Sequence, residues 1–320
     1  MTRIRKEDWR LSVLAPVYNE AAGIREFVAE LVDTLERICP PGGYELVLVN
    51  DGSTDGSGAA LDELAREYPG VLAAVHLARN FGMESAIAAG LEVVTGDAVI
   101  TLDADMQDDP AAFEAFLEKW RGGYDVVYAV RTRRQEWLGQ RVLFWGFYRV
   151  LGWVANVELP AGASNFALMD RAVVDALRQM PERNRFLRGL RAWVGFHQTG
   201  VPVPRRGRGK GRSRLGVRGQ WKLAMNAIFA FSYVPLFVFR IAGLFALALA
   251  AVLVVWALFY KLVIGLEVRA WASQFITTAF LSGINLLGIG VVGEYVARIH
   301  DEVKGRPNFV VRHITRAPRE

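Results

Sequence analysis

Three short apolar, β-branched runs near the start of the chain each end in a polar turn that leads into a helical pattern. This repeat constrains the fold more than any other feature. The runs are LSVLAPVYNE (Leu11 to Glu20), ELVLVNDGSTDGS (Glu45 to Ser57) and AVITLDADMQDDP (Ala98 to Pro110). Strands that alternate with helices in this way build a parallel sheet with helices packed on its faces. In such sheets ligands bind beyond the carboxyl ends of the strands, where the polar residues of all three runs gather. Helices are expected to begin near Ala21, Asp55, Gly82 and Pro110, and Tyr18, Glu20, Asp51 and the Asp103 group are expected to face one crevice. No G-x-G-x-x-G follows the first strand, which weakens the case for a Rossmann dehydrogenase.

The third run carries the most specific chemistry. Asp103, Asp105 and Gln107 are spaced two residues apart, and alternate side chains of an extended chain share a face, so three oxygen ligands can converge on one cation. Hard oxygen ligands suit Mg²⁺ or Mn²⁺, which commonly hold the phosphates of a bound nucleotide. The competing reading is a solvated turn that caps the next helix, with Asp108 or Asp109 before Pro110 as the cap. The neighbouring motifs favour the metal and diphosphate site.

The C-terminal third has a different character. With 320 residues of which 52% are hydrophobic, the chain exceeds what one catalytic domain needs. Ile241 to Tyr260 has no charged residue, enough to cross a hydrocarbon core of roughly 30 Å, and a second uncharged run extends from Ala270 to Gly293. The alternative is a pair of buried core helices. Asn285, in the second run, is expected to face the partner helix. Only Lys261 to Arg269 separates the two, which implies a tight hairpin with both flanks on one side. Arg205 to Lys222 holds eight basic residues and no acid, and the tail adds Arg298, Lys304, Arg306, Arg312, Arg316 and Arg319. The positive-inside rule therefore places both flanks, and both termini, in the cytoplasm. The net charge of +5 is concentrated beside the spans, so anionic membrane lipids and a lipid phosphate are more economical partners than nucleic acid. No signal peptide is read at MTRIRKEDWR, and the single Cys39 fits a reducing compartment and a packing role.

Five segments in order resemble the glycosyltransferase family 2 enzymes that use polyprenyl phosphate acceptors, the dolichyl-phosphate mannose synthase and bactoprenol glucosyltransferase group. They are PVYNE (Pro16 to Glu20), NDGSTDGS (Asn50 to Ser57), ARNFGMESAIAAGL (Ala78 to Leu91), DADMQDDP (Asp103 to Pro110) and GEYVARIHDEVKGRP (Gly293 to Pro307). The resemblance implies donor-binding roles for Pro16, Tyr18, Glu20, Asn50, Asp51 and Asp103, and metal binding by Asp103, Asp105 and Gln107, with Asp105 also catalytic. It implies acceptor-phosphate contacts for Arg131 and Arg141; Arg206, Arg208 and Arg214 in the basic loop are expected to contact donor or acceptor phosphates and close over the site, a lipid-headgroup contact being the alternative for any one of these arginines. By the same resemblance the reaction inverts the anomeric centre, moving one sugar from a nucleotide donor, UDP-glucose first and GDP-mannose second, to undecaprenyl phosphate or a similar lipid. A phosphate monoester whose second ionisation lies near pH 6 is already mostly a dianion, so a general base is less necessary than for a hydroxyl acceptor.

Several positions depart from that family's pattern. Asn50 stands where the first of two aspartates is usual, Met83 where a lysine is frequent, Asn165 where an aspartate is common and Ala167 where an arginine is common; Arg214 replaces a lysine. An amide does not act as a general base, so Asn165 can only position groups. These departures motivate a second hypothesis, a catalytically silent sugar-nucleotide or lipid-binding subunit of an envelope glycan assembly complex. A processive polysaccharide synthase is disfavoured by the absence of a Q-x-x-R-W segment.

The expected organisation is an α/β GT-A type domain over 1–216, with a possible interfacial helix at 137–154. A juxtamembrane amphipathic helix at 217–234 follows, then two transmembrane helices within 235–297 (about 236–262 and 270–294) and a basic cytoplasmic tail at 298–320. The whole would sit at the inner membrane as a multi-pass protein, with a homo-oligomer possible. The four histidines, His76, His197, His300 and His313, form no metal-ligand spacing and read as structural or exposed. Glu294 and Arg298 are placed for an i,i+4 pair.

Overall fold

The computed structural model describes residues 9–131, 163–180, 182–183, 185–204, 234–259, 262–263 and 271–318. They form two compact units, one holding the sheet together with residues 307–320 and the other holding residues 220–306.

In the first unit the apolar runs become β1 (Leu11–Val17), β2 (Tyr44–Asn50), β3 (Leu72–Leu77) and β4 (Ala98–Thr101). Helices α1 (Ile24–Ile38), α2 (Ser57–Glu67), α3 (Met83–Val93) and α4 (Ala112–Arg121) follow them, each beginning within three residues of its expected start. Next come β5 (Val126–Arg131), β6 (Ala163–Asp170), α5 (Arg171–Arg178), α6 (Leu187–Trp193) and β7 (Gln198–Val203). With an eighth strand, β8 (Val311–Arg316), the sheet order is β7-β5-β6-β4-β1-β2-β3-β8. Pairs β4–β1, β1–β2 and β2–β3 are parallel, whereas β6 runs antiparallel to both β4 and β5.

The strands read as continuous apolar runs because both faces are covered, as parallel sheets require. All seven residues of β2 are buried. On one face Ile24, Phe27, Val28, Leu31 and Leu35 of α1 are buried, as are Phe113, Phe116 and Trp120 of α4. Phe166 of β6 packs against both Phe113 and Phe116, with ring centroids 6.0 and 4.9 Å away. Full burial of one such ring contributes about 2–3 kcal/mol.

The eighth strand, β8 (Val311–Arg316), comes from the segment read as a basic tail. It is more than a tail: it pairs antiparallel with β3, His76 opposite His313, and completes the sheet edge. Val311, His313 and Thr315 lie on one face of this strand and Arg312, Ile314 and Arg316 on the other, so neither face reads as an apolar stripe in the sequence.

The second unit contains α7 (Val234–Phe259) and α8 (Trp271–Val303). Both are long and apolar enough to cross a membrane. The windows Leu236–Leu253 and Phe280–Val303 have mean hydropathies of 2.5 and 1.5, and 0% of either is buried, which overturns the alternative of two core helices. Half-buried positions fall at Leu236, Phe239, Ala242 and Ala246 of α7 and at Ile284, Gly288, Val291, Tyr295 and Arg298 of α8, one stripe on each. Gly288 lies against the Phe239 ring at the contact. Asn285 is exposed and off this stripe, so it does not face α7 as expected. Arg298 Nε donates to Glu294 Oε1 at 3.0 Å, the anticipated i,i+4 pair.

Candidate active site

At the carboxyl ends of β1 and β2 the chain turns sharply, and the two turns are laced together. Asn19 (φ 55°) adopts the left-handed conformation that asparagine tolerates better than most residues. Its backbone N–H donates to Ser53 Oγ at 3.0 Å, and its side-chain Oδ1 accepts from the Thr54 N–H at 2.8 Å. The N–H of Glu20 donates to Ser57 Oγ at 2.9 Å, and that of Ala21 to Asp55 Oδ2 at 3.1 Å. Tyr18 is 40% exposed, while Pro16 and Glu20 are half-buried. Sequence reading singled out Tyr18 and Glu20 but missed Asn19, Ser53, Thr54 and Ser57, which hold them; the signal was the pair of Asn and Ser/Thr-rich turns.

Asn50 and Asp51 are buried, at 7% and 3% exposure. Asp51 Oδ1 accepts from the Phe81 N–H at 2.7 Å and Oδ2 from the Gly82 N–H at 2.9 Å. Burial pushes its carboxyl above the usual range, against the pull of these two donors and of Arg79. Asp51 thus ties the loop after β2 to the loop after β3. Between them Gly52 (φ +65°) passes so close that a Cβ there would lie 2.4 Å from the Arg79 carbonyl carbon. Asn50 Oδ1 accepts from the Ser53 N–H at 2.9 Å, which closes an Asx turn.

The Asp103 group differs from the sequence expectation in its local geometry. β4 ends at Thr101, and residues 103–107 form a turn in which Met106 has φ 59°, so alternation along an extended strand is not what arranges Asp103, Asp105 and Gln107. Asp103 and Asp105 are half-buried, and Gln107 is only 5% exposed. The Gln107 N–H donates to Asp105 Oδ1 at 3.2 Å, and the Asp103 N–H to Asp108 Oδ2 at 3.3 Å. Among the described residues, Asn19 and Met106 are the two non-glycine positions with positive φ, and they lie in the loops that follow the neighbouring strands β1 and β4. The donor types fit a hard divalent cation: Asp103 and Asp105 carry carboxylates at a partly exposed turn, and Gln107 carries a buried amide.

Asn165 lies in β6. Thr101, the last residue of β4, pairs with Ala167, and its Oγ1 donates to the Asn165 carbonyl at 2.5 Å. Asn165 is 6% exposed, and its buried Oδ1 has no hydrogen-bond partner among the described residues. Beside it, the buried Arg191 of α6 donates from Nη2 to the Ser164 carbonyl at 3.0 Å and lies over the Tyr128 ring, 5.4 Å from its centroid. Burial pushes the Arg191 guanidinium down to about 10. Glu84 accepts from the Leu187 N–H at 3.0 Å, and burial raises its carboxyl against the charges of Arg188, Arg191 and Arg185. Nothing in the sequence distinguished these arginines from surface ones.

Arg131 is the last residue of β5, opposite Val203 of β7. Arg141, Arg206, Arg208, Arg214, the helix read at 137–154 and the juxtamembrane stretch 217–234 lie outside the described residues.

Two of the histidines, read as structural or exposed, meet in the fold. His76 and His313, separated by 237 positions, stack with ring centroids 4.3 Å apart, and with Asp62 their ligand atoms lie within 4.8 Å of one another. Sequence spacing carried no trace of this, because strand pairing makes the neighbourhood. His197 stacks on Tyr124 at 4.4 Å.

A mixed sheet of this order, with its polar loops collected beyond β1, β2 and β4, is a GT-A-like α/β fold. The chain belongs to glycosyl transferase family 2, whose family model matches residues 12–178. It is 38% identical over 305 residues to an uncharacterized glycosyltransferase of Synechocystis sp., covering 94% of each chain. It is 35% identical over 305 residues to a Shigella flexneri protein named as a prophage-derived bactoprenol glucosyl transferase, covering 95% of this chain and 97% of that one. Among solved structures it is similar to a mannosyltransferase of Pyrobaculum calidifontis in complex with GDP-mannose and Mn²⁺, at 18% identity and a TM-score of 0.47, covering 93% of this chain and 88% of that one.

Proposed function

We propose that this glycosyltransferase moves a single sugar from a nucleotide donor, UDP-glucose as first candidate and GDP-mannose as second, to undecaprenyl phosphate or a similar polyprenyl phosphate at the cytoplasmic face of a membrane. The observation that carries the reading is the pairing, in one chain, of the laced loops beyond β1, β2 and β3 and the acidic turn beyond β4 with two exposed apolar helices. The bactoprenol glucosyl transferase names of relatives matched over nearly the full length support the acceptor class.

In this reading the donor lies across the loops 18–20 and 50–57. Asn50 and Asp51 act through the loop conformation they fix, since their side-chain oxygens accept backbone N–H groups of this chain. Asp103, Asp105 and Gln107 would hold Mg²⁺ or Mn²⁺, which when bound would supply positive charge to offset that of a departing nucleoside diphosphate. The acceptor arrives as a dianion, so the protein's main task is to aim its oxygen behind the anomeric carbon. Arg131 and Arg141 are proposed to do this, and Arg206, Arg208 and Arg214 to contact the phosphates. Arg131→Ala is expected to raise the KM for lipid phosphate more than that for donor; equal acceptor kinetics in variant and parent would refute the assignment. Asn165 positions groups by hydrogen bonding.

With both helices read as spans near 236–262 and 270–294, the basic residues beside them support a cytoplasmic side for the catalytic domain and the termini. Transfer from a panel of labelled nucleotide sugars to undecaprenyl phosphate, with detergent-solubilised protein, tests the proposal. Labelling of the lipid by one donor names the sugar. No labelling despite measurable nucleotide binding would favour the silent-subunit alternative that Asn50, Met83, Asn165 and Ala167 motivate.

A further inference from the structure

The cluster around His76 joins the end of the chain to the loop that starts at Asn50. His76 is 5% exposed on β3. Its Nδ1 lies 3.1 Å from Asn50 Nδ2. Asn50 Oδ1 is committed to the Ser53 N–H, so the amide presents its N–H₂ to the ring, and Nδ1 must accept. The proton of the neutral ring is then on Nε2, which lies 3.2 Å from Asp62 Oδ1, close but not aligned as a hydrogen bond. A ring locked in this tautomer has no lone pair on Nε2 for a metal, which argues against a cation between Asp62, His76 and His313 despite their proximity.

The remaining partners of Asp62 come from β8. Thr315 Oγ1 donates to Asp62 Oδ1, and His313 Nε2 lies 4.0 Å from the same oxygen. Gly58, in the first turn of α2, leaves the space that the Asn50–His76 pair occupies: a Cβ there would lie 2.9 Å from Asn50 Nδ2. Among the described residues, the charged and titratable groups facing His76 are Asp62 from α2 and Arg312 and His313 from β8.

We propose that His76 is a positioning residue for the donor loop: held neutral between Asn50 and Asp62, it ties residues 51–57 to strand β8, so that protonating it loosens both and weakens nucleotide binding. A proton on Nδ1 would face the Asn50 N–H₂ donor to donor, and relieving that clash turns Asn50 away from Ser53. The new charge would also sit against His313 and Arg312. Asp62 alone favours it, through an oxygen already shared with Thr315. Burial is the first cause of a pKa below the ordinary 6.5, and the charges of His313 and Arg312 add to it against Asp62. A group lowered in the folded state binds its proton more readily in the unfolded one, so the tie is intact above about pH 6.5 and weakens as pH falls below that value.

The nucleotide half of this proposal rests on the donor-site reading given above, and the experiment separates the two. Hydrogen exchange of peptides covering 51–57 and 311–316, corrected for intrinsic pH dependence, is followed from about pH 8 to about pH 5 in the full-length protein in detergent, beside calorimetric binding of UDP with Mn²⁺. In the parent both peptides should lose protection together below about pH 6.5, and UDP affinity should fall roughly three- to tenfold. In His76→Gln, whose amide accepts from Asn50 and donates towards Asp62 with no proton to gain, both profiles should be flat. Peptides that exchange independently, or a variant that keeps the parent's pH profile, would overturn the tie. Linked protection with no UDP binding at any pH would support the tie and overturn the donor reading. Should His76→Gln fail to fold, His313→Phe keeps the stacked ring and removes one repelling charge; the midpoint should then move to higher pH, and an unmoved midpoint would overturn the proposal.

Discussion

Arg316, near the end of the chain, donates from Nη2 to Oε2 of Glu45 at 2.9 Å, closing the polar end of a carboxylate whose residue is 0% exposed. Glu45 also accepts from Ser12 Oγ at 2.7 Å, from the Thr95 N–H at 2.5 Å and from Thr95 Oγ1 at 2.9 Å. The last strand of the sheet is therefore fastened to β2 by a buried charge, in addition to its ladder with β3. Burial alone would raise the Glu45 carboxyl; the donors from Thr95 and Ser12 and the charge of Arg10 outweigh it and hold the group below its ordinary 4.5.

Glu45→Gln should cost about 2–4 kcal/mol, because buried donors aimed at a charge are left facing an amide. Thermal unfolding at pH 7 reads this directly. A carboxyl lowered in the folded state contributes stability above its unfolded pKa, and that contribution is lost as pH falls through the folded value. The gap between parent and variant should therefore shrink below about pH 4.5. A gap that widened on acidification would contradict the assignment.

Asp51→Asn replaces one of two acceptors by a donor that faces a backbone N–H. The expected cost is about 1–3 kcal/mol at the junction of the 50–57 and 79–82 loops. Since that junction shapes the proposed donor site, UDP affinity should fall at least roughly tenfold for each 1.4 kcal/mol felt there. Gly52→Ala should be worse, because the φ of +65° and the 2.4 Å approach to backbone leave no room to relax. Calorimetric titration of both variants checks the order.

Cys39 caps the C-terminus of α1, and burial pushes its thiol up to about 12. With so little thiolate near neutrality, maleimide or iodoacetamide at pH 8 should leave it unmodified and activity intact. Mass spectrometry after brief exposure decides; complete labelling would contradict the raised pKa of the half-buried thiol.

The α/β order, the helix starts and the hairpin of apolar helices were legible because burial on both sheet faces and along whole helices imprints continuous apolar runs on the sequence. The site was legible to the same depth only: Tyr18, Glu20, Asp51 and the Asp103 group do fall at strand ends. Their hydrogen bonds were not, because Asn19 to Thr54 and Asp51 to Gly82 join residues brought together by strand pairing. Strand β8 was missed for the same reason, and so was the stacking of His76 on His313. The extended alternation invoked for Asp103, Asp105 and Gln107 failed because the strand stops at Thr101 and Met106 reverses the chain.

The most direct test of the central claim is Mn²⁺-supported transfer from the donor identified in the panel to undecaprenyl phosphate, comparing the parent, the parent with EDTA, and Asp105→Asn. Asparagine keeps the volume of aspartate and removes its charge, so folding should be unchanged. Loss of the charged ligand should lower kcat by about 10²-fold or more, and EDTA should abolish transfer in the parent. Parent-level turnover by Asp105→Asn, or transfer that persists in EDTA, would contradict the account of the Asp103–Gln107 turn as the seat of a metal-assisted glycosyl transfer.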